Sequence, residues 1–588
     1  MQTVNITING RQATVPAHYT ILEAARENGI KIPTLCFLKD LNETGACRVC
    51  VVEVEGAKSL VTACNMKVYE GMVVNTNSAK TQTARKTTVE LLLANHKIEC
   101  TTCVRNGSCE LKELSNNLGC QSNRFEGEKR EEIYRDDSHS IVRDTSKCIL
   151  CGRCISACAK KAGTEVLSFN NRGFGTYVGP GFETSMEDAG CIHCGQCIIA
   201  CPTAALSEKS SINQVVSALN DKSKVVVFQV APAIRAALGE EFGLPMGTRV
   251  TGKIAAALRR ISGNKAYVFD TNFAADLTIM EEAHELLHRI QNNGVLPMIT
   301  SCSPGWVRLA EVYRPEVLPH LSTCKSPQQM FGAILKSYWA ETNNIDKSSI
   351  YNVSIMPCTS KKSELAREEL NVNGIRDVDA SLTTRELARL IKMYGLDFVN
   401  LPDEEFDQPL GAYSGAGTIF GATGGVMEAA FRTAADVLSG ESIEDIEYTA
   451  VRGVSDVKEA TVNFNGTTLN VAIVHGGKSA LDVVDQILKG EKQYHFVEIM
   501  GCSGGCVAGG GQPHVHADLL NKGVDVRVER AKALYEDDRS QVIRKSHENE
   551  VIKHVYETYL KEPNSHLAHE LLHTTYRKTT SYSKLMKK

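Results

Sequence analysis

The sequence Glu498-Ile499-Met500-Gly501-Cys502-Ser503-Gly504-Gly505-Cys506 continues through Gly509-Gly510-Gly511 to Pro513. The apolar run that begins at Phe496 and ends at Met500 predicts a short buried strand. Two cysteines follow this strand, and glycines surround them. Because glycine has no Cβ, the backbone here can approach a bulky inorganic group closely. The stretch therefore indicates two thiolates that bind one edge of a metal cluster.

Two earlier segments share this design, since each is a β-rich run that ends in a cysteine. They are Val295-Leu296-Pro297-Met298-Ile299-Thr300-Ser301-Cys302-Ser303-Pro304 and Tyr351-Asn352-Val353-Ser354-Ile355-Met356-Pro357-Cys358. In open α/β sheets, binding sites form outside the carboxyl ends of the strands. We therefore expect three strand ends to bring four cysteines to one point, namely Cys302, Cys358, Cys502 and Cys506.

Composition limits the classes of protein that fit. A chain of 588 residues predicts several domains, and a net charge of -4 gives no reason to expect a nucleic-acid partner. No apolar run is long enough to span a membrane, and the alternating pattern of Met1 to Gly10 is unlike a signal peptide, so we expect a cytoplasmic location. Twenty-one cysteines without a secretory signal favour metal binding over disulfides.

Residues 1–79 are predicted to form a ferredoxin-like [2Fe–2S] domain. Alternating residues on both sides of Asn9-Gly10 predict a hairpin, and a helix over residues 20–28 follows. The spacing of the four cysteines differs from the usual plant-type loop and resembles the N-terminal domain of the large iron–sulfur subunit of respiratory complex I. A tetrahedral zinc site is the alternative. The candidate ligands are Cys36, Cys47, Cys50 and Cys64.

Residues 80–138 are predicted to hold a [4Fe–4S] cluster with one histidine ligand. A helix over residues 80–97 ends at a histidine, and three cysteines follow it. Since imidazole carries less negative charge than a thiolate, such a cluster can differ in potential from all-cysteine clusters. A zinc knuckle is the competing interpretation. The candidate ligands are His96, Cys100, Cys103 and Cys109, and we interpret Cys120 and Cys324 as incidental.

Residues 139–210 carry the same cysteine motif twice, with the spacing of bacterial ferredoxins that hold two [4Fe–4S] clusters. In that motif the fourth cysteine of each run ligates the other cluster. The first predicted set is Cys148, Cys151, Cys154 and Cys201, and the second is Cys191, Cys194, Cys197 and Cys158. A zinc ribbon is the alternative. We interpret His193, inside the second loop, as a neighbour of the cluster and not as a ligand.

Residues 211–565 alternate between helical and strand patterns, which predicts an α/β catalytic domain with mostly parallel sheets. The small α+β iron–sulfur domains therefore precede it. The glycines between Gly415 and Gly425 do not match a dinucleotide-binding loop, and we interpret them as close backbone packing. Residues 566–588 are predicted to be a C-terminal tail, mobile beyond Thr575.

Three signatures resemble those of the [FeFe]-hydrogenases of the multi-cluster clostridial type. They are Thr300-Ser301-Cys302-Ser303-Pro304-Gly305-Trp306, Met356-Pro357-Cys358-Thr359-Ser360-Lys361-Lys362 with Glu364, and the stretch from Glu498 to Pro513. The resemblance covers nearly the whole chain. It implies reversible conversion of H₂ into two protons and two electrons at an H-cluster. That cofactor is a [4Fe–4S] cubane joined to a diiron unit with CO, CN⁻ and azadithiolate ligands.

The same resemblance assigns roles to individual positions. It implies that Cys358, Cys502 and Cys506 ligate the cubane and that Cys506 bridges to the diiron unit. The remaining implied contacts are Lys361 with a cyanide, Met356 and Met500 packed against the diiron unit, and Pro232 in the cyanide pocket. At Ala233 many relatives have a serine, so that hydrogen bond is expected to be absent. The implied proton route consists of Cys302, Glu282, Ser322, Glu285 and Arg289.

The clearest departure from the family pattern is Ser303, where many relatives have a second cysteine. By position, Cys302 relays protons and Ser303 is the fourth cubane ligand. By chemistry, Cys302 is the better ligand, because a thiol deprotonates more easily than an alcohol. The two alternatives stay open, with a slight preference for the positional one.

Three functions from different classes fit these patterns. A hydrogenase is favoured over a sensory or electron-transfer subunit with little turnover, and over a cytosolic iron–sulfur assembly protein. The resemblance to complex I modules implies a hetero-oligomer in which ferredoxin, a flavin- or NAD(P)-binding subunit, or both exchange electrons with this chain. The chain itself shows no convincing flavin or nicotinamide site, so pyridine-nucleotide activity would come from a partner.

Overall fold

A computed structural model describes residues 2–121, 124–372, 374–439, 444, 446–464 and 467–582. The chain begins with a five-stranded sheet against which the helix Ile21–Glu27 packs. Thr20 caps this helix and Glu23 returns the bond, so the predicted hairpin and helix are both present. The strands, in their order across the sheet, are Arg11–Pro16, Thr3–Ile8, Val73–Asn75, Val51–Val54 and Val61–Thr62.

The second module contains two helices, Ala79–Asn95 and Glu110–Asn117. The first helix ends one residue before His96, whose extended backbone turns the chain toward the following cysteines. Its buried residues Val89 and Leu93 pack with Cys36 and Cys151 from the neighbouring modules. One shared apolar core therefore joins the first three modules.

The third module is built from two short helices, Arg153–Ala157 and Gln196–Ala200. Each helix follows a glycine with positive φ, Gly152 at 79° and Gly195 at 67°, a conformation that residues with a Cβ rarely adopt. The two cysteine loops therefore have the same local geometry. The associated strands are Tyr134–Arg135, Ile141–Asp144, Ser168–Asn170, Tyr177–Gly179 and Leu206–Glu208.

The catalytic domain contains two four-stranded sheets. The first is fully parallel, in the order Tyr267–Asp270, Val225–Val230, Ile350–Met356 and Ala380–Thr383. The second is parallel except for its last strand, in the order Met298–Ile299, Phe496–Met500, Thr467–His475 and Val457–Phe464. The predicted α/β class with mostly parallel sheets is confirmed.

Helices cover the faces of both sheets and bury large side chains such as Phe228, Phe273 and Trp306. The cysteine-bearing strand ends lie in both sheets, because Ile350–Met356 belongs to the first sheet and the other two strands belong to the second. The longer helices are Ile212–Asn220, Thr251–Ile261, Asn272–Gln291, Pro304–Tyr313, Pro327–Ile334, Thr384–Met393, Gly425–Ser439, Gly477–Leu488 and Val526–Ser540.

The C-terminal segment differs from the predicted mobile tail. It forms the helix His566–Leu572, whose Leu571 and Leu572 are buried in the same core as Phe331. The backbone N–H of Thr574 then donates to Thr323 O at 2.7 Å. Beyond Thr575, where mobility is predicted, Tyr576 Oη donates to Cys324 O at 3.2 Å and Thr579 N donates to Glu311 O at 2.9 Å, so the described part of this stretch packs against the catalytic domain. Residues 583–588 lie outside the described part of the chain. None of the helices in that described part is long and apolar enough to cross a membrane.

Candidate active site and cluster sites

A cavity lies where the cysteine-bearing ends of the two sheets face each other. It contains about 770 Å³ of space not filled by protein atoms. The residues predicted for the active site line it together, namely Pro232, Cys302, Ser303, Met356, Cys358, Lys361, Met500, Cys502 and Cys506. The structure therefore brings side chains from four distant parts of the sequence to one enclosed place.

The donor set of this cavity fits an iron–sulfur cluster. Burial raises the pKa of the Cys358 thiol, raises that of Cys506 to about 12, and raises that of Cys502 well above its usual range. The neighbouring thiols Cys358 and Cys506 add to the increase at Cys502. Thiols in such surroundings become thiolates only when a metal compensates their charge. A cavity with three convergent thiols is thus suited to a cationic cluster core.

Glycines are needed where the cysteine loop meets its neighbours. A Cβ on Gly509 would lie 2.3 Å from Pro357 O, and one on Gly505, whose φ is +86°, would lie 2.8 Å from Thr423 N. The loop is also tied to the 415–425 segment, because Val507 N donates to Gly421 O at 3.0 Å. This contact supports the interpretation of the Gly415–Gly425 glycines as close packing.

Glu498 fixes the strand that carries the cysteine loop. Its carboxylate is fully buried and accepts hydrogen bonds from the backbone N–H groups of Gly424 at 2.6 Å and Met427 at 2.8 Å. Both donors lie at the N-terminal end of the helix Gly425–Ser439, where the helix dipole favours a negative charge. Glu498 therefore joins the cysteine loop to the core of the domain.

Lys361 lies beside the cysteines at the wall of the cavity. Its Nζ donates to Cys302 O at 3.1 Å and to Glu364 Oε2 at 3.2 Å, and its side chain is only 11% exposed. Glu364 also accepts from Ser326 Oγ at 2.9 Å. These contacts hold an ammonium group, a compact point charge, next to the space that an anionic ligand would occupy.

Cys302 and Ser303 face different neighbours within the cavity. Burial raises the pKa of the Cys302 thiol well above its usual range, with further contributions from the charges of Glu282 and Cys506. Ser303 Oγ instead accepts a hydrogen bond from Gly501 N at 3.1 Å, beside the loop that carries Cys502. The Cys302 thiol therefore lies near both Glu282 and Cys506, while the Ser303 hydroxyl lies beside the loop that carries Cys502.

The residues of the predicted proton route form a row on and beside the helix Asn272–Gln291. Glu282 is 1% exposed, and burial raises its pKa to about 8, with a further contribution from the Glu285 carboxylate. Ser322 Oγ donates to Glu285 Oε2 at 2.9 Å, and Arg289 Nη2 donates to Glu285 Oε1 at 2.6 Å. Hydrogen bonds thus join Ser322, Glu285 and the partly exposed Arg289, whereas the two Glu282 carboxylate oxygens have no hydrogen-bond partner among the described residues.

Several buried groups near these residues were not identified by sequence reasoning. His573 Nε2 lies 3.1 Å from Glu281 Oε2, and His573 Nδ1 lies 2.7 Å from Thr323 Oγ1. Gln328 lines the cavity at the start of the helix Pro327–Ile334 and donates to Lys361 O at 3.4 Å. These residues sit in ordinary helical segments without a motif, so only their spatial neighbours mark them.

The thiols of the two cysteine runs lie among one another in the third module. Burial raises the pKa values of Cys154 and Cys197 well above the usual range. The other contributors at Cys154 include Cys148, Cys151 and Cys201, while those at Cys197 include Cys191, Cys194 and Cys158. A cavity of about 430 Å³ is lined by Cys148, Cys151, Cys154 and Cys201. His193 is buried and its Nε2 lies 2.9 Å from Glu187 Oε2, so this ring nitrogen has a partner within the protein.

The cysteines of the first module are arranged in two close pairs. A hydrogen bond from Cys47 lowers the pKa of Cys36 to about 6, and a hydrogen bond from Cys64 lowers the pKa of Cys50. In the second module, Cys103 and Cys109 line one cavity and the buried His96 Nδ1 has no hydrogen-bond partner among the described residues. A buried imidazole nitrogen without a partner fits the expected histidine ligand.

Hydrogen bonds connect each cluster site to the next. Asn42 Nδ2 donates to Cys36 O at 2.8 Å and to Cys151 O at 3.1 Å, and Glu110 N donates to Pro202 O at 3.1 Å. At the catalytic end, Thr359 Oγ1 donates to His193 O at 2.6 Å and Ser360 Oγ donates to Ile192 O at 2.7 Å. The cysteine loops of neighbouring sites are therefore held in direct contact.

Five protein-family models match consecutive parts of the chain. Residues 1–79 match a 2Fe-2S iron-sulfur cluster binding domain, residues 85–124 the NADH-ubiquinone oxidoreductase-G iron-sulfur binding region, and residues 147–205 a 4Fe-4S dicluster domain. Residues 224–510 match the C-terminal domain of the iron only hydrogenase large subunit. Residues 524–579 match the iron hydrogenase small subunit, which includes part of the predicted tail.

Individual relatives are similar over nearly the full length. The NADP-reducing hydrogenase subunit HndD from Solidesulfovibrio fructosivorans is 46% identical over 98% of this chain and 99% of its own. Iron hydrogenase 1 from Clostridium pasteurianum is 46% identical over 97% of this chain and 100% of its own. A solved structure of apo [FeFe]-hydrogenase HydA1 from Chlamydomonas reinhardtii is 40% identical, with a TM-score of 0.56, and covers 63% of this chain and 99% of that one.

Proposed function

Since the chain belongs to the iron-only hydrogenases, we propose how its residues divide the work of reversible hydrogen oxidation. The H-cluster, when bound, supplies the chemistry that converts H₂ into two protons and two electrons. The protein supplies the ligands, the enclosed cavity, a route for protons and a route for electrons. The observation that carries this proposal is the convergence of Cys358, Cys502 and Cys506 on one buried cavity.

We assign the cubane to Cys358, Cys502 and Cys506, with Ser303 as the fourth group around it. The hydrogen bond between Ser303 Oγ and Gly501 N supports this assignment, because it directs the hydroxyl toward the cysteine loop. Lys361 offers its ammonium group to an anionic ligand, while Met356, Met500 and Pro232 provide an apolar wall that excludes water. Excluding water strengthens the electrostatic contacts inside the cavity.

Protons are proposed to move from Cys302 through Glu282, Ser322 and Glu285 toward Arg289. The Glu282 carboxyl has a pKa of about 8, so it can hold or release a proton near neutral pH. Ser322 can pass a proton because its hydroxyl is both a donor and an acceptor. Arg289 donates hydrogen bonds to Glu285 Oε1 from both Nε and Nη2, so its proposed role is to fix Glu285 at the mouth of the route.

The proton route is tested by Glu282→Gln, which keeps the shape of the side chain but cannot accept a proton. We expect turnover in both directions to fall by about 10²- to 10⁴-fold, the usual contribution of a positioned acid–base group. The measurements are H₂ evolution and H₂ uptake, with cluster content followed by infrared bands of CO and CN⁻. His288→Gln on the exposed side of the same helix serves as the control and should leave both rates unchanged. Unchanged turnover in Glu282→Gln would remove the route.

Electrons are proposed to leave the H-cluster through the two ferredoxin-type clusters. The hydrogen bonds from Thr359 and Ser360 to the second cysteine loop support the first step. The contacts of Cys151 and Pro202 with the modules at residues 1–79 and 80–138 support a division of the path after the first ferredoxin-type cluster. We thus propose three [4Fe–4S] clusters and one [2Fe–2S] cluster in addition to the H-cluster.

A flavin- or NAD(P)-binding subunit is proposed as the electron partner, with ferredoxin as a second one. The full-length similarity to a NADP-reducing hydrogenase subunit and the match to a complex I module support this choice. The test is purification of the chain from its own cells, followed by an assay of H₂-dependent NADP⁺ and NAD⁺ reduction before and after the co-purifying subunits are removed. Loss of nucleotide reduction with retained viologen-linked activity is the expected result. Equal nucleotide reduction by the chain alone would contradict the proposal.

A further inference from the structure

Arg105 lies inside the chain at the junction of two cluster modules. It belongs to the loop between Cys103 and Cys109, and its side chain is only 4% exposed. Cys109 of its own module and Cys201 of the ferredoxin-type module both lie close enough to interact with its charge. The backbone bond from Glu110 to Pro202, one residue beyond each of these cysteines, holds the two loops together.

The guanidinium group of Arg105 is unusual in its lack of partners. Its Nη2 donates to Ser108 O at 2.9 Å, but Nε and Nη1 have no hydrogen-bond partner among the described residues. The groups that favour its charge are Cys201, Glu110 and Cys109, and the Glu110 carboxylate is already bound by Arg153. A buried donor without an acceptor costs about 1–3 kcal/mol, and more for a charged group. Two such donors on one side chain point to an acceptor that the protein atoms do not provide.

We propose that Arg105 donates hydrogen bonds to sulfur atoms at the junction of the His–Cys₃ cluster and the first ferredoxin-type cluster, and that it sets the reduction potentials there. The cluster sulfurs are acceptors that carry negative charge, so they match two unpartnered donors of a cation. Hydrogen bonds to the sulfurs are among the factors that set the potential of such clusters. The proposal rests on the proposed assignment of Cys109 and Cys201 to these two clusters.

A second buried arginine lies at the same junction but differs from Arg105 in its hydrogen-bond partners. Arg153, between Cys151 and Cys154, is 1% exposed, but its donors are occupied. Nη1 and Nη2 bind the two carboxylate oxygens of Glu110 at 2.8 and 2.9 Å, and Nε donates to Cys36 O at 3.3 Å. Arg153 is therefore neutralised and joins three modules, whereas Arg105 binds no carboxylate and has two donors without a partner among the described residues.

A cation near a cluster stabilises the reduced state, which carries one more negative charge. Arg105 therefore raises the reduction potential of the clusters on both sides of the junction, which favours the reduced state of these clusters. Removing the charge is expected to lower these potentials without changing the ligands. In this scheme Arg105 affects electron transfer and not the hydrogen chemistry, because it contacts the accessory clusters only.

The test is a redox titration of the full-length chain with all accessory clusters loaded, followed by electron paramagnetic resonance. Arg105→Gln should lower the midpoint potential of the His–Cys₃ cluster, the first ferredoxin-type cluster or both. Arg105→Lys keeps the charge but lacks the planar fork of donors, so its shift should be smaller. Lys112→Gln removes a cation that lines the same cavity and binds Asn106 Oδ1 at 2.8 Å, so it serves as the matched control.

Equal midpoint potentials in wild type, Arg105→Gln and Lys112→Gln would overturn the proposal. If Arg105→Gln fails to keep its clusters, Arg105→Lys carries the test, and an unshifted potential in that variant would overturn the proposal as well. The absence of either cluster signal from the wild type would instead overturn the assignment of Cys109 and Cys201. The titration does not depend on hydrogen turnover, so failure of the proposed proton route leaves its result unaffected.

Discussion

The accessory-cluster region and the catalytic cavity collect cysteines in opposite ways. The ferredoxin-type module takes eight candidate ligands from residues 148–201, and the two modules before it each use one short stretch. The catalytic cavity takes its cysteines from residues 302–506 and from strands of two different sheets. Short stretches of chain therefore supply the accessory-site cysteines, whereas the packing of the whole domain brings the catalytic-cavity cysteines together.

Because the two regions collect their cysteines differently, we expect them to differ in their sensitivity to mutations in the surrounding structure. In the ferredoxin-type module, Gly152 and Gly195 place the cysteines through local backbone geometry. In the catalytic cavity, the cysteine loop depends on distant contacts, including the bonds that Glu498 accepts from Gly424 and Met427. We therefore expect the catalytic site to be sensitive to packing changes that leave the accessory clusters intact.

The largest expected effect comes from removing one cysteine of the catalytic cavity. Cys358→Ser should abolish hydrogen evolution, since an alcohol is a poor substitute for a thiolate ligand. The accessory clusters should remain, because their cysteines belong to other modules. The measurement combines the hydrogen evolution rate with the infrared bands of CO and CN⁻ and with iron content.

The matched control for this experiment is Cys120→Ser. Cys120 is half-buried, and its Sγ lies 3.8 Å from Lys86 O, away from the cavity. Activity and all clusters should be retained in this variant. A fully active Cys358→Ser enzyme would show that this cavity cysteine is dispensable, and it would contradict the proposed difference between the two regions.

The next effect separates the roles of Cys302 and Ser303. Cys302→Ala should lower turnover by about 10²-fold or more by interrupting proton transfer, while the cubane signal stays. Ser303→Ala should mainly alter the cubane and its spectrum, because its hydroxyl faces the cysteine loop at Gly501. Loss of the cubane in Cys302→Ala with an unaltered Ser303→Ala variant would reverse the assignment.

The smallest effect on the catalytic chemistry is expected from the accessory region. Cys154→Ser should disrupt the first ferredoxin-type cluster and slow partner-linked electron transfer. Exchange between D₂ and water protons needs no external electrons, so its rate should change by less than about twofold. A parallel collapse of exchange would mean that the two regions depend on each other for folding and not only for electrons.

Much of this fold can be predicted from the amino-acid sequence. The strand Phe496–Met500 and the hairpin around Asn9-Gly10 were predicted from alternation, apolar runs and turn residues, and the α/β class was predicted from alternating helical and strand patterns. The packing of the stretch beyond Thr575 was not predicted, because that stretch is polar and basic and the groups that Tyr576 and Thr579 contact come from elsewhere in the chain. Arg105 and His573 belong to no sequence motif, so only the residues packed around them indicate their roles.

Cysteine spacing along the chain predicts the kind and order of the accessory sites, because a short loop can close around a cluster through local backbone geometry. Three features follow from the folded structure and not from spacing: which strand ends meet, the proximity of Cys302 to Glu282, and the two donors of Arg105 that have no partner among the described residues. Those facts depend on the packing of segments hundreds of residues apart, where sequence spacing carries no distance information.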